Sequence, residues 1–354
     1  MSSLRIGCIG GGSIAEAHAE TLQSLGEDVV AVADVDPDAR AAFAEQFDVP
    51  HAYETHEAML DDADLDLAVV AVPNAVHEAC AVDAIEAGLD VFVEKPVAHS
   101  LPAAERIAEA ARKGDGNVSV GFVRAFEPWV HNARAEVADG TYGEVYDLEA
   151  QYVRQRGIPQ LGSWFTRKDV SGGGAVIDVG VHVIHLALSV LDFPAIETVS
   201  ASTGGYFGNK DDYTYLHMWG GDPVEGGTFD VDDYARALVR TADGTTLHFH
   251  FAWASNGPAR RTITVYGDEA GLAVEDKGGS RDIRQYSADG NALTETALEY
   301  PDDHRLNAQW KYVTAVARGE REHTKNTVEE GLAVQRVVEA IYESAEKRRE
   351  VVVE

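Results

Sequence analysis

The chain has 354 residues, 45% of them hydrophobic, with 29 Lys and Arg against 60 Asp and Glu and a formal net charge of −31. That length exceeds what one hydrophobic core usually covers, so two domains are expected. The charge leaves no basic stripe to meet phosphates, which excludes a nucleic-acid partner; acids scattered through every segment suit a salt-loaded cytoplasm, where at about 1 M salt the Debye length falls to roughly 3 Å and self-repulsion is screened.

Leu4 to Ile9 reads as an apolar strand, with no basic leader, long apolar run or lipidation signal, so no export or membrane address is displayed and a cytoplasmic protein is expected. Cys8 and Cys80 make no disulfide framework, in keeping with a reducing compartment. Gly10-Gly11-Gly12-Ser13-Ile14-Ala15 follows, ahead of a helical pattern to about Leu25. The G-x-G-x-x-G/A dinucleotide fingerprint thus stands in the strand, turn, helix context that gives it meaning. Unpaired N–H groups at the helix start would receive a pyrophosphate, and the glycines clear its path; Gly10, Gly12, Ser13 and Ile14 are the expected contacts. Val29 to Ala33 is the next strand, and Asp34 at its end stands where a carboxylate bonds the ribose 2′-hydroxyl, favouring NAD over NADP.

The alternation continues. Leu67 to Val72 is a strand ending in Pro73-Asn74, before a helix from about Ala75 to Ala87. Val91 to Val93 ends in Glu94-Lys95-Pro96, and Val118 to Phe122 ends near Arg124. These polar residues lie just past the carboxyl ends of the strands, the edge where ligands bind in an open parallel sheet. Pro96 biases Lys95 to an extended backbone, so its ammonium projects from a stiff point.

After about Phe126 the pattern changes to a helix (Pro128 to Ala138), a strand (Val145 to Val153), a loop with Trp164 and Phe165, and an apolar helix running to Val190. Gly172, Gly173 and Gly174 open that helix and would let the backbone turn sharply and approach a ligand. Asp178 and His182, four apart, share a helix face, with His185 one turn further along the same side. Tyr234 to Arg240, the turn Ala242-Asp243-Gly244 and Thr246 to Trp253 form a hairpin, followed by a strand at Thr262 to Tyr266. The stretch Gly204 to Asp233 is the longest irregular one, and helices from about His304 to Ala317 and Val328 to Lys347 close the chain. The expected architecture is α/β: an N-terminal Rossmann domain with a parallel sheet over 1–125, then an α+β domain with a mostly antiparallel open sheet over 126–354, its last helices able to pack back on the first domain.

Taken in order, the Gly10 to Ala15 fingerprint, Pro73-Asn74-Ala75-Val76-His77, Glu94-Lys95-Pro96, Gly121-Phe122-Val123-Arg124 and Gly172 to His182 resemble the glucose-fructose oxidoreductase, inositol dehydrogenase and rhizopine catabolism protein (Gfo/Idh/MocA) family. The resemblance implies a nicotinamide dinucleotide held by Gly10, Gly12, Ser13, Ile14, Asp34, Pro73, Asn74, His77, Glu94, Lys95 and Arg124, a sheet domain that also makes homo-oligomer contacts (dimer or tetramer), and a catalytic triad of Lys95, Asp178 and His182. Members similar to glucose-fructose oxidoreductase tend to carry Tyr where this chain has His182, so the inositol dehydrogenase-like branch fits better. A common family pattern has Asp where His185 stands, which sets aside any substrate contact borrowed for that position. The implied reaction is oxidation of a secondary alcohol on a cyclic polyol or sugar lying in a cleft between the domains, with Arg154, Arg156, Trp164 and Tyr213 as substrate-side candidates and no metal or membrane involved. Two other readings stay open, a glycosidase that uses NAD transiently and a non-catalytic NAD-binding regulator.

Overall fold

The computed structural model describes residues 3–214, 221–278, 280–301 and 304–353. Contacts divide the chain into two compact units, Met1–Phe126 with Asp303–Leu332, and Glu127–Asp302 with Ala333–Glu354.

In the first unit, β1 (Arg5–Ile9), β2 (Asp28–Ala33), β3 (His51–Tyr53), β4 (Leu67–Val70), β5 (Asp90–Val93) and β6 (Val118–Val120) form one sheet in the order β3-β2-β1-β4-β5-β6. Every pairing in it is parallel. The connections are α1 (Ser13–Ser24), α2 (Pro37–Gln46), α3 (His56–Asp62), α4 (His77–Glu86) and α5 (Leu101–Lys113). Helices on both faces bury β4 completely and four of the five residues of β1, which is why these strands read as unbroken apolar runs. β3 has three residues, two of them exposed, too short and too polar to announce itself in the sequence. Ile6, Cys8, Leu22, Phe43, Val69 and Phe92 share a core with Trp310, Val313 and Val316, which arrive on a late helix, α9 when counted in chain order (Arg305–Ala317).

The second unit begins with α6 (Pro128–Ala138) and contains a nine-stranded sheet built from β7 (Val145–Val153), β8 (Ile196–Gly204), β9 (Tyr234–Thr241), β10 (Thr246–Ala252), β11 (Arg260–Gly267), β12 (Ala270–Asp276), β13 (Arg281–Asp289), β14 (Ala292–Ala297) and β15 (Val351–Val352). Their order is β14-β13-β12-β11-β7-β10-β9-β8-β15, and the β7–β10 pair is parallel while the other pairings are antiparallel. In β9 and β10 buried residues alternate with less buried ones, as in a sheet that packs helices on one face. Those helices include α8 (Val181–Val190), which packs on β7 and is preceded by the short α7 (Lys168–Ser171); α10 (Val328–Lys347) starts in the first unit and ends in the second. Against the expectation of no long apolar run, Lys168–Val190 is long and apolar enough to cross a membrane by length and composition; 89% of its most apolar window is buried within the protein, as in a core helix.

Candidate active site

The carboxyl edge of the parallel sheet gathers the first group of residues. Gly10 has φ +104°, and a Cβ there would stand 2.3 Å from the Ala71 carbonyl, so only glycine lets β1 pass β4 this closely. A Cβ on Gly12 would meet nothing within 4 Å, no side chain caps α1, and Gly12, Ser13 and Ile14 are exposed. An uncapped helix start of this kind, with the positive end of the helix dipole at it, is a cradle that fits a pyrophosphate.

Asp34 closes the next strand. Its Oδ2 accepts the Gly11 N–H at 2.7 Å and its Oδ1 the Asp36 N–H at 2.8 Å, which fixes the carboxylate beside the glycine turn. Arg40, six residues on, donates to the Asp34 carbonyl. The sequence separates these two residues; the turn into α2 brings them together.

Past β4 and β5 two loops are stapled by one buried imidazole. His77 Nδ1 is 2.9 Å from the Pro96 carbonyl and Nε2 is 2.8 Å from that of Val72. Burial lowers its pKa, and the two carbonyls, which favour the cation, only partly offset that. Both ring nitrogens face the protein's own backbone, so His77 positions the Pro73-Asn74 and Lys95-Pro96 corners. Asn74 is buried, Lys95 is half-buried, and Arg124 is half-buried in a one-turn 3₁₀ segment, Val123–Phe126.

The second group belongs to the other unit. Residues Val176–Gly180 form a π-helical turn leading into α8, where a continuous α-helix is expected from the sequence. A π turn inside a helix often marks a functional position. From Val176 to Val190 every residue is buried except Asp178 and His182, which are half-buried. His185 does not share their exposure: it is 1% accessible and meets the Phe193 ring edge-on at 5.5 Å, a core residue.

The three glycines also act differently from expectation. Gly172 ends α7 in the left-handed region (φ +85°), but a Cβ on Gly173 would stand 2.0 Å from the Tyr342 hydroxyl, and one on Gly174 only 1.8 Å from the Asp232 carbonyl. The close approach they permit is to these protein groups. The Asp232 carboxylate accepts the N–H of Gly174 at 2.8 Å, the N–H of Val176 at 3.0 Å and the Tyr342 hydroxyl at 2.8 Å, capping the π turn from which Asp178 projects. Burial raises the Asp232 pKa despite these donors and pushes the Tyr342 phenol well above its usual range.

Asp178 Oδ2 accepts the Trp253 indole N–H at 2.8 Å. Trp253 follows β10 and Arg154 follows β7, and because those strands are parallel and paired Ala252 to Val153, the two residues emerge side by side. Burial works against the charge on Arg154, yet the Asp178 carboxylate and the Tyr152 hydroxyl together more than compensate and hold the guanidinium pKa above its ordinary value. Arg154 also donates to the Gly157 carbonyl at 3.1 Å. Thus Asp178, Arg154 and Trp253 form one cluster, and His182 is the other half-buried residue of the same helix. Arg156 commits its donors to the carbonyls of Gln155 and Ser255 and to Asn256, and lies over the rings of Phe207 and Tyr213 at 5.4 and 5.7 Å. Trp164 stacks on Phe165 at 3.7 Å. Of the long irregular stretch, residues 215–220 lie outside the described residues; its end is anchored where Asp233 accepts the N–H groups of Tyr206, Phe207 and Gly208.

Trp253, Asp232 and Tyr342 escape a reading of the sequence. Each is an ordinary residue of a strand end, loop or helix there, and only the pairing of β7 with β10 and the packing around the glycines give it a role. Among the described residues one group has metal-ligand composition, His56, Glu57 and Asp83, and its imidazole nitrogens already face the two carboxylates separately at 3.3 and 2.8 Å.

Comparison with known proteins agrees with both halves. Residues 4–122 match the oxidoreductase family, NAD-binding Rossmann fold, and residues 130–273 match the Gfo/Idh/MocA C-terminal domain. D-glucoside 3-dehydrogenase of Escherichia coli (strain K12) is 29% identical over 98% of this chain and 96% of its own length. A putative UDP-kanosamine synthase oxidoreductase subunit of Amycolatopsis mediterranei is 32% identical over 73% and 68%, and inositol 2-dehydrogenase of Acidothermus cellulolyticus is 40% identical over 40% and 42%. The solved structure of levoglucosan dehydrogenase in complex with NADH has the same fold, with a TM-score of 0.86 over the whole of both chains at 20% identity. The chain belongs to the Gfo/Idh/MocA family of oxidoreductases.

Proposed function

We propose that the protein is an NAD-dependent dehydrogenase that oxidises a secondary alcohol on a sugar or cyclic polyol. The observation that carries this is the half-buried Asp178 and His182 on an otherwise buried helix, with Trp253 and Arg154 holding the carboxylate. His182 takes the proton from the substrate hydroxyl. Lys95 binds the same oxygen and stabilises the negative charge that develops there. Asp178, fixed by Trp253, keeps the imidazole and the substrate in register. The chemistry that NAD supplies when bound is acceptance of the carbinol hydride.

The substrate is sought among the sugars and polyols that the named relatives act on, without preference for the inositol branch. A panel of methyl D-glucoside, levoglucosan and myo-inositol, scored by NADH formation, tests the reading. Aryl glycoside cleavage without net NADH would move it to a glycosidase; NAD binding with no turnover of any member would move it to a regulator.

For the cofactor, Asp34→Ala should weaken NAD about 10- to 100-fold, because a hydrogen bond to a charged group is worth about 1.5–3 kcal/mol. With Arg40 left at the site, NADP should gain relative to NAD. Fluorescence titration of both cofactors decides, and an unchanged ratio would remove Asp34 from the ribose.

The acid excess supports a salt-adapted protein of a reducing compartment; burial pushes the thiols of Cys8 and Cys80 up to about 12, so neither is reactive. Dilution to about 0.01 M salt lengthens the Debye length to roughly 30 Å. The melting temperature should therefore rise with potassium chloride between millimolar and molar concentration, and a flat profile would end the salt-adaptation argument.

A further inference from the structure

Lys95 stands one residue past Glu94, and its own N–H donates to Glu94 Oε2 at 3.0 Å. The other carboxylate oxygen, Oε1, is 2.9 Å from Nε2 of His18 on α1. His18 Nδ1 is in turn 3.0 Å from Nε1 of Trp310 on α9. An indole N–H can only donate. His18 Nδ1 is therefore an acceptor, and the hydrogen on Nε2 is given to Glu94.

The surroundings make the arrangement rigid. His18 is 2% accessible and Trp310 fully buried. The imidazole meets Phe92 edge-on at 5.1 Å and Trp310 at 5.3 Å, and those two rings pack 4.6 Å apart. A Cβ on Gly121 would come within 3.0 Å of the Glu94 carboxyl group, so the glycine that follows β6 leaves the room this carboxylate occupies. Burial pushes the Glu94 carboxyl up, but the His18 ring together with the Lys95 ammonium and main-chain N–H outweighs it and holds the group below the usual carboxylate range.

We propose that His18 and Trp310 are positioning residues for Lys95: Trp310 holds His18 through Nδ1, His18 holds the Glu94 carboxylate, and Glu94 holds the Lys95 main chain. The relay rests on the role given to Lys95 above. It recruits residues from the dinucleotide helix and from α9, 292 positions apart in the chain, to one lysine.

Two measurements on the full chain test it. Long-range 1H–15N spectra of the imidazoles should find His18 as the Nε2–H form. Trp310→Phe, which keeps a ring in the core and removes the indole N–H, should leave the hydrogen on Nε2 facing Glu94 and shift the Nδ1 15N resonance as that nitrogen loses its donor; an Nδ1–H form in the wild type would overturn the relay. The second is a double-mutant cycle, using the panel sugar with the highest turnover. Loss of a residue that orients a catalytic group typically costs about 10- to 100-fold, so His18→Ala should lower kcat by that factor, with the NAD Kd within a few-fold. His18→Gln, which retains a donor toward Glu94, should recover most of it. In a Lys95→Ala background, His18→Ala should cost less than about twofold, because groups acting as a unit are not additive. Losses that multiply would show a structural role and overturn the proposal. Near-normal kcat in Lys95→Ala would instead overturn the role of Lys95, and the imidazole spectra would still decide whether the relay exists.

Discussion

His182→Ala should lose two to four decades of turnover, since general-base catalysis is typically worth about 10² to 10⁴ in rate. The loss should fall on kcat while NAD affinity survives, because the expected dinucleotide contacts at Gly10, Gly12 and Asp34 are in the first unit and His182 is in the second. A helix that buries every residue around Asp178 and His182 offers a competing explanation, that the pair only supports the fold. In that case the substitution would lower the melting temperature and leave the folded fraction turning over within a few-fold of wild type. Turnover, NAD affinity and melting temperature measured on one preparation separate the two, and near-normal turnover in a folded, NAD-binding variant would end the assignment of His182 as the base.

Gly174→Ala should be the most damaging single-methyl substitution on the helix that carries Asp178. The added carbon would stand 1.8 Å from the Asp232 carbonyl, a distance at which main chain must move. That carbonyl accepts the Ala175 N–H at 2.9 Å, and the carboxylate of the same residue accepts Gly174 and Val176. Overpacking alone costs about 1–3 kcal/mol, and leaving a buried charged acceptor short of donors adds about as much again. The expected loss is about 3 kcal/mol or more, or roughly 6–12 °C in melting temperature for a domain of this size. Calorimetry beside the wild type checks it; a loss under about 1 kcal/mol would show that Asp232 can move away without consequence.

The parallel half of the fold was legible because β1, β4 and β5 are buried on both faces and appear as apolar runs punctuated by polar corners. The glycine fingerprint was legible because it sits between a strand and a helix. The central helix was legible as helix, but its π turn was not, since π and α turns share one apolar composition. The Gly172 to Gly174 run announces close approach, which the sequence suggests is to a ligand; the groups that Gly173 and Gly174 approach are Tyr342 and Asp232, from a helix and a loop dozens of residues away. Arg40 stands six residues past Asp34, and the start of α2 folds that distance away. His185 was grouped with Asp178 and His182 by spacing, whereas packing against Phe193 places it in the core.

The first unit is discontinuous, and that bears on how the protein is made. Its amino-terminal segment ends at Phe126, yet its core includes Trp310, Val313 and Val316. At about 5–20 residues per second, a ribosome needs roughly 10–40 s to travel from the one to the other. Through that interval the nascent sheet exposes the apolar patch that α9 will cover, while the second unit is being synthesised. Contacts of such long sequence separation slow folding and prolong exposure to aggregation. The unit that carries the dinucleotide fingerprint therefore waits for α9, which is made only after most of the second unit.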